Sequence, residues 1–198
     1  MTFSKSPINS FSKLHKLKKY LKDIDGYIAG GCFKNIFTEE KIRDIDIFFC
    51  DEGAFERAVK VYDDRYTKRK YENDNCIAYY DKYSKTVIEL VKKQYSPASD
   101  IISKFDFTIV KAALHKVKRD DTVDFEFIYH PKFFEHLVCK KLVIDDSMIS
   151  ASATFNRSLK YTKYGYGLCR ESKLDLLKAI IETGNPEDIN NEMYFGFD

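Results

Sequence analysis

The sequence predicts an α+β fold: a mixed sheet with flanking helices over residues 1–130, followed by a short helical part over residues 131–198 that packs on it. Three observations lead there. Segments whose apolar residues recur every second position, such as Asp44–Phe49, alternate with helix-period segments through the first part of the chain. From Pro131 onward the pattern is helical throughout. No Ser/Gly-rich linker separates the two parts, so they are expected to form one packed unit.

Taken in order, residues 11–22 read as a basic amphipathic helix. Leu14, Leu17 and Leu21 share one face, and Lys13, Lys16, Lys18, Lys19 and Lys22 cover the rest. Tyr27–Ala29 is a short strand running into Gly30-Gly31, and a helix is expected over Phe33–Glu39. Asp44–Phe49 is a strand, and Gly53–Asp64 a helix with Phe55, Ala58 and Val59 on its apolar side. Tyr66–Tyr71 and Cys76–Tyr80 read as strands joined by the polar turn Glu72-Asn73-Asp74-Asn75, with another strand at Thr86–Val91. Ser96-Pro97 is expected to open a helix reaching Ser103, with serine as cap and proline in the first turn. Phe107–Leu114 and Phe125–Tyr129 are strands, and Lys116–Arg119 with Asp120 and Asp121 resembles a hairpin turn. Helices are expected over 131–142, 147–164 and 171–182, the last stopped by Gly184-Asn185-Pro186. The remaining tail, 185–198, is acidic and aromatic-tipped, with Tyr194, Phe195 and Phe197 as docking or disordered positions.

Composition narrows the function. At 44% hydrophobic residues the 198-residue chain can bury a core. The net charge of +2 argues against a globally basic nucleic-acid binder, so any such contact comes from local patches. Cys32, Cys50, Cys76, Cys139 and Cys169 are dispersed, without a C-x-x-C, which disfavours a disulfide framework or zinc site. His15, His115, His130 and His136 lack metal-ligand spacing. No apolar run approaches ~20 residues, and residues 1–12 lack a signal-peptide core, so a soluble cytoplasmic protein without membrane contact is expected. P-loop and G-x-S-x-G motifs are absent.

The chemistry lies in Tyr27–Phe49, YIAGGCFKNIFTEEKIRDIDIFF. A strand ending at Gly30 and Gly31 lets the backbone approach a ligand and adopt positive φ. The helix that follows would point its N-terminus at phosphate oxygens. Asp44 and Asp46, at i and i+2 of the next strand, face one way while Ile45 and Ile47 enter the core. Two neighbouring carboxylates repel unless cations lie between them. Divalent Mg²⁺ or Mn²⁺ would relieve the repulsion and bridge to a nucleoside triphosphate.

Gly30-Gly31-Cys32-Phe33-Lys34-Asn35-Ile36-Phe37 followed by Asp44-Ile45-Asp46 resembles the polymerase-β-type nucleotidyltransferase superfamily. The resemblance is to the branch of tRNA CCA-adding enzymes and poly(A) polymerases in particular. That branch carries G-G-x-V-R-D-x-L-L-G-x-x-x-x-D-x-D, and the 14-residue step from Gly30 to Asp44 matches without a gap. Lys34 stands where the pattern has arginine, and Asn35 where it has aspartate; lysine keeps the charge but loses the planar fork. The motif covers about a tenth of the chain. The resemblance implies transfer of a nucleotidyl group from a nucleoside triphosphate, ATP among the candidates, to a hydroxyl of RNA or tRNA, protein or a small molecule. Asp44 and Asp46 would be the metal ligands; Gly30, Gly31, Lys34 and Arg43 would hold the nucleotide. It also implies a third carboxylate from a later strand, for which Glu89 and Asp106 are the two candidates. A basic helix would close over the triphosphate, matched here by Arg157, Lys160 and Lys163, with Tyr161, Tyr164 and Tyr166 available for stacking or packing. CCA-adding enzymes carry large further helical domains, so the chain's length favours a protein or small-molecule acceptor. A catalytically degenerate nucleotide- or nucleic-acid-binding module is the alternative. For the 13–22 helix, a solvated lysine face is set against contact with nucleic-acid phosphates.

Overall fold

The computed structural model describes residues 2–119, 122–145 and 148–182. Its sheet is built in chain order from β1 (Ser4–Pro7), β2 (Gly26–Ala29), β3 (Asp44–Phe49), β4 (Tyr71–Glu72), β5 (Cys76–Asp81), β6 (Thr86–Tyr95), β7 (Ala112–Arg119) and β8 (Thr122–Tyr129). Side by side the order is β1-β8-β7-β2-β3-β6-β5-β4. β3 and β6 run parallel, and every other neighbouring pair is antiparallel. The helices are α1 (Lys18–Leu21), α2 (Cys32–Phe37), α3 (Glu52–Arg65), α4 (Ala98–Ser103), α5 (Phe133–Val138), α6 (Ala151–Thr162) and α7 (Arg170–Glu182). This is the α+β mixed sheet with flanking helices that the residue pattern predicts.

The alternation along β3 separates core from chemistry. Ile45, Ile47 and Phe49 are fully buried in the main hydrophobic core, with Ile88, Leu90, Leu114 and Phe127 of neighbouring strands. Leu14, Leu17 and Leu21 join them, as the 13–22 pattern requires, although the segment is a 3₁₀ helix over Ser12–Leu17 that becomes α-helical only at α1. The intervening residues face the other way. There Tyr27, Ala29, Phe48, Val91, Ala113 and Ile128 form a smaller cluster beneath Ile101 and Ile102 of α4. Asp44 and Asp46 belong to this second face by the same alternation.

Local chemistry sets the helix ends. The Asp51 carboxylate accepts the Ala54 N–H at 2.7 Å and caps α3, which runs one residue beyond the expected span at each end. Ser150 caps α6 in the same way, accepting from Ala153 N–H at 3.2 Å.

Several expected elements differ. β1 forms where no apolar alternation marked a strand, by pairing with the edge of β8. Of the expected 66–71 strand only Tyr71 lies in β4, which takes in Glu72 from the expected turn and ends where Asn73 turns the chain, its side-chain oxygen accepting the Asn75 and Cys76 amides at 2.8 Å each. β6 extends to Tyr95, through a register shift between Ile47 and Phe49 of β3. Pro97, not Ser96, occupies the cap position of α4, and no side chain caps that helix. Thr108–Val110 is a 3₁₀ turn rather than strand, and Lys116–Arg119 lie in β7 rather than in a turn. The 131–142 helix is confined to α5, since Lys140 adopts φ 52° and Lys141–Leu142 forms β9, parallel to β10 (Gly167–Leu168). The 147–164 helix shortens to α6, and α7 begins at Arg170. The expected stop at 184–186 and the aromatic-tipped tail lie outside the described residues.

Several lysines of residues 13–22 are engaged within the protein. Lys13 bonds Glu39 at 2.7 Å, Lys18 lies over the Phe125 ring, and Lys19 bonds Asp81 at 2.7 Å. Burial of Asp81 opposes its ionisation, but hydrogen bonds from Lys19 and from the Tyr83 and Ser84 amides prevail and hold its pKa at about 2. A carboxylate with a depressed native pKa stabilises the fold above its unfolded value and loses that contribution as pH falls through the native one. Stability followed by urea denaturation is therefore expected to drop between about pH 4 and pH 2, and Asp81→Asn to flatten that part of the profile. An identical acid limb in the variant would contradict this role.

Candidate active site

The site begins where β2 ends. Gly30 has φ +99°, a conformation that side-chain-bearing residues rarely adopt, and its amide bonds the Ala112 carbonyl at 3.0 Å. A Cβ placed there would sit 3.6 Å from Asp46 Oδ2 and 3.6 Å from the Phe105 ring. Gly31 lies instead in the ordinary helical region at φ −66°, so the expected positive φ belongs to Gly30 alone. α2 has six residues, shorter than the Phe33–Glu39 expectation at its C-terminal end, and this limits what its dipole can contribute.

Register gathers the carboxylates. Asp46 is opposite Ala29 on one side and Glu89 on the other. Residues opposite each other in neighbouring strands project to the same face, so Asp44, Asp46 and Glu89 share one face of the sheet. Asp46 is 7% exposed, a burial that carboxylates seldom tolerate without compensating charge. Cys32 lies close enough to feel both aspartates: burial first, then the charges of Asp46 and Asp44, push its thiol well above the ordinary range. Further along the row Glu89 is opposite Ala78, and Ala78 opposite Tyr71. The Tyr71 hydroxyl reaches back across that alanine and donates a hydrogen bond to Glu89 Oε1. Burial, then Glu89, raises the Tyr71 phenol above its usual range.

Asp106, the other third-carboxylate candidate, is 5% exposed and forms an ion pair with Arg157 Nε. Both line a cavity of about 380 Å³ together with Gly30, Gly31 and Asp46. Phe105, Phe107, Val110 and Tyr161 form its apolar wall. A second cavity, about 290 Å³, adjoins it through Gly31 and Tyr161 and is lined by Lys34, Arg43, Asp44 and Lys160. Lys34 is 4% exposed, bonded to Glu40 at 2.7 Å and set over the rings of Tyr164 and Tyr166. Arg43 is exposed and donates to the Tyr164 hydroxyl at 3.5 Å. Asn35 Oδ1, also in this second cavity, is buried without a hydrogen-bond partner, an acceptor open to a donor from a ligand. Lys163, the C-cap of α6, is exposed and lines neither cavity. Tyr161 and Tyr166 are core residues, and Tyr164 is half-buried.

Sequence reasoning missed Lys93 and Lys104, two cations on the wall of the first cavity, and Tyr71 over Glu89. None belongs to a motif. Lys93 adopts φ 64° in the irregular end of β6, and only non-local pairing brings that end to the cavity. Among the described residues no group of three or more His, Cys, Asp or Glu side chains is gathered closely enough to hold a metal ion unaided. The carboxylate pair still fits Mg²⁺, which binds through one or two carboxylates and completes its shell with water and substrate phosphates.

Comparison with solved structures shows the nucleotidyltransferase fold. A Thermotoga maritima CCA-adding enzyme complexed with tRNA matches at TM-score 0.64 and 15% identity, over 92% of this chain and 47% of that one. A CCA-adding enzyme in complex with CTP matches at TM-score 0.64 and 16% identity, over 95% and 47%. A tRNA nucleotidyltransferase complexed with a primer tRNA and an incoming ATP analog matches at TM-score 0.54 and 17% identity, over 80% and 47%. The chain thus spans about half the length of the structures it matches. None of the curated proteins matches it in sequence. The model of the Gabija anti-defense 2 family, Gad2, matches residues 2–140, well over half of the 198 residues, and the chain belongs to that family.

Proposed function

We propose that this protein transfers a nucleotidyl group from a nucleoside triphosphate to an acceptor hydroxyl and releases pyrophosphate. The observation that carries the reading is the close approach of Gly30, at φ +99°, to the buried Asp46 carboxylate, with Asp44 and Glu89 on the same face. A bare backbone beside clustered carboxylates suits a metal-bound triphosphate. Asp44 and Asp46 would hold Mg²⁺ or Mn²⁺, which supplies charge neutralisation of the phosphates and activation of the attacking oxygen. Glu89, rather than Asp106, is the better third carboxylate, because it stands opposite Asp46 on the same face, whereas Asp106 is ion-paired with Arg157.

The remaining groups divide between the two cavities. The first, with its apolar wall, falls within the ~300–1,000 Å³ range of small-ligand sites and suits the nucleoside. Lys160, Arg43 and Lys34 give the second cavity a cationic lining suited to phosphate oxygens. Lys34, already bonded to Glu40, orders that wall as much as it attracts anions. Arg157, paired with Asp106, borders the nucleotide from α6, with Lys163 outside the cavities. The family's name ties its members to countering a defence called Gabija, and covalent nucleotidylation of a nucleic acid or protein of the opposed system is one way to do so. RNA or tRNA is the acceptor favoured by likeness to the tRNA-bound structures.

Calorimetric titration with each ribonucleoside triphosphate tests the site. Binding is expected to require Mg²⁺ or Mn²⁺, and Lys160→Ala is expected to weaken it about tenfold, equivalent to ~1.4 kcal/mol. Binding that is indifferent to metal and to Lys160 would favour a non-catalytic nucleotide-binding module, which the Lys34–Glu40 and Arg157–Asp106 pairs also suit.

A further inference from the structure

The row Asp46, Glu89, Ala78, Tyr71 crosses four neighbouring strands on one face of the sheet. Adjacent strands lie ~4.8 Å apart, so the Tyr71 and Asp46 backbones are separated by about three spacings. The phenol spans part of that gap and meets the Glu89 side chain. Ala78 is small and fully buried, the Tyr71 ring crosses over its strand, and the hydroxyl donates to Glu89 Oε1. The Tyr71 oxygen is thus held at the carboxylate that stands opposite Asp46 in the neighbouring strand. Tyr71 is also 39% exposed and sits in the two-residue edge strand β4, where the backbone can shift at low cost. A hydroxyl bonded to a carboxylate beside the triphosphate site has the arrangement required of an activated nucleophile.

We propose that Tyr71 is itself an acceptor: the protein nucleotidylates its own Tyr71, an inference that rests on the nucleotidyltransferase reading above. In this step Tyr71 Oη attacks the α-phosphorus of the bound nucleoside triphosphate and forms a phosphodiester. The bond from the α-phosphorus to the bridging oxygen breaks, and pyrophosphate leaves with that electron pair. The phenolic proton passes to Glu89 and then to solvent. No oxidant or reductant is needed. The product has no Tyr71 hydroxyl left to react, so the phenol itself accepts a single nucleotide.

The test is intact-mass measurement of the full chain after incubation with each ribonucleoside triphosphate and Mg²⁺, followed by peptide mapping and a pyrophosphate assay on the same samples. The expected result is a mass gain of one nucleoside monophosphate, mapped to Tyr71. Tyr71→Phe, which removes one oxygen, is expected to lower the adduct at least tenfold while metal-dependent triphosphate binding persists. Asp44→Asn should also lose the adduct. Pyrophosphate release onto an external acceptor with no adduct on the chain, or an adduct mapped elsewhere, would overturn the assignment and leave nucleotidyl transfer standing. Absence of both adduct and release, in folded protein given RNA and protein acceptors, would overturn both.

Discussion

Replacing Asp44 and Asp46 together by asparagine is expected to lower nucleotidyl transfer by about 10³-fold or more, since single preorganised electrostatic groups already contribute ~10²–10³. Asparagine keeps the shape of each side chain and removes only the charge that a divalent cation requires. The fold should survive. Asp46 is 7% exposed and lies against Gly30, and Asp44 shares its face, so a side chain of the same shape fits both positions. Circular dichroism and urea denaturation are expected to show a folded variant with a cooperative transition. A folded double variant with undiminished transfer would remove the carboxylates from the mechanism.

The second large effect lies away from the site. Lys111 follows the 3₁₀ turn before β7 and is 0% exposed; its ammonium forms an ion pair with Asp145 and bonds the Ser103 carbonyl at 3.0 Å. His130 Nε2 lies 3.3 Å from the other Asp145 oxygen. The pair thus ties the segment after β9 to the sheet and to the end of α4. Asp145→Ala leaves a buried ammonium without this carboxylate and is expected to cost about 3–5 kcal/mol of stability. The double variant Lys111→Met with Asp145→Leu removes both charges and should recover much of that loss, because the desolvation penalty disappears with them. Chemical denaturation of the three proteins checks this. A single variant that loses less than ~1 kcal/mol would mean that the charge finds solvent or another partner.

Legibility in the sequence followed the range of the interactions. The period of two in Asp44–Phe49 assigned Ile45 and Ile47 to the core and the aspartates to the opposite face, because strand geometry alone decides it. The leucine spacing at 14, 17 and 21 assigned those side chains to the interior, even though the backbone there is largely 3₁₀. The choice between Glu89 and Asp106 could not be made locally. It depends on β3 and β6 being parallel neighbours, with α3, β4 and β5 intervening in the chain, and on Arg157 arriving at Asp106 from α6. β1 was equally hidden: Ser-Lys-Ser-Pro has no strand pattern and pairs only because β8 offers an open edge. Tyr71 could not be singled out either, since its distinction is to lie over the small Ala78 toward Glu89.

The most direct measurement of the central claim is pyrophosphate release by the full chain from each ribonucleoside triphosphate, with Mg²⁺ or Mn²⁺ and with total RNA added or withheld. Nucleotidyl transfer through the Gly30, Asp44 and Asp46 site requires release that depends on the metal and disappears in the Asp44→Asn, Asp46→Asn protein. Release that persists in that variant, or no release with any triphosphate, metal or acceptor, would contradict it.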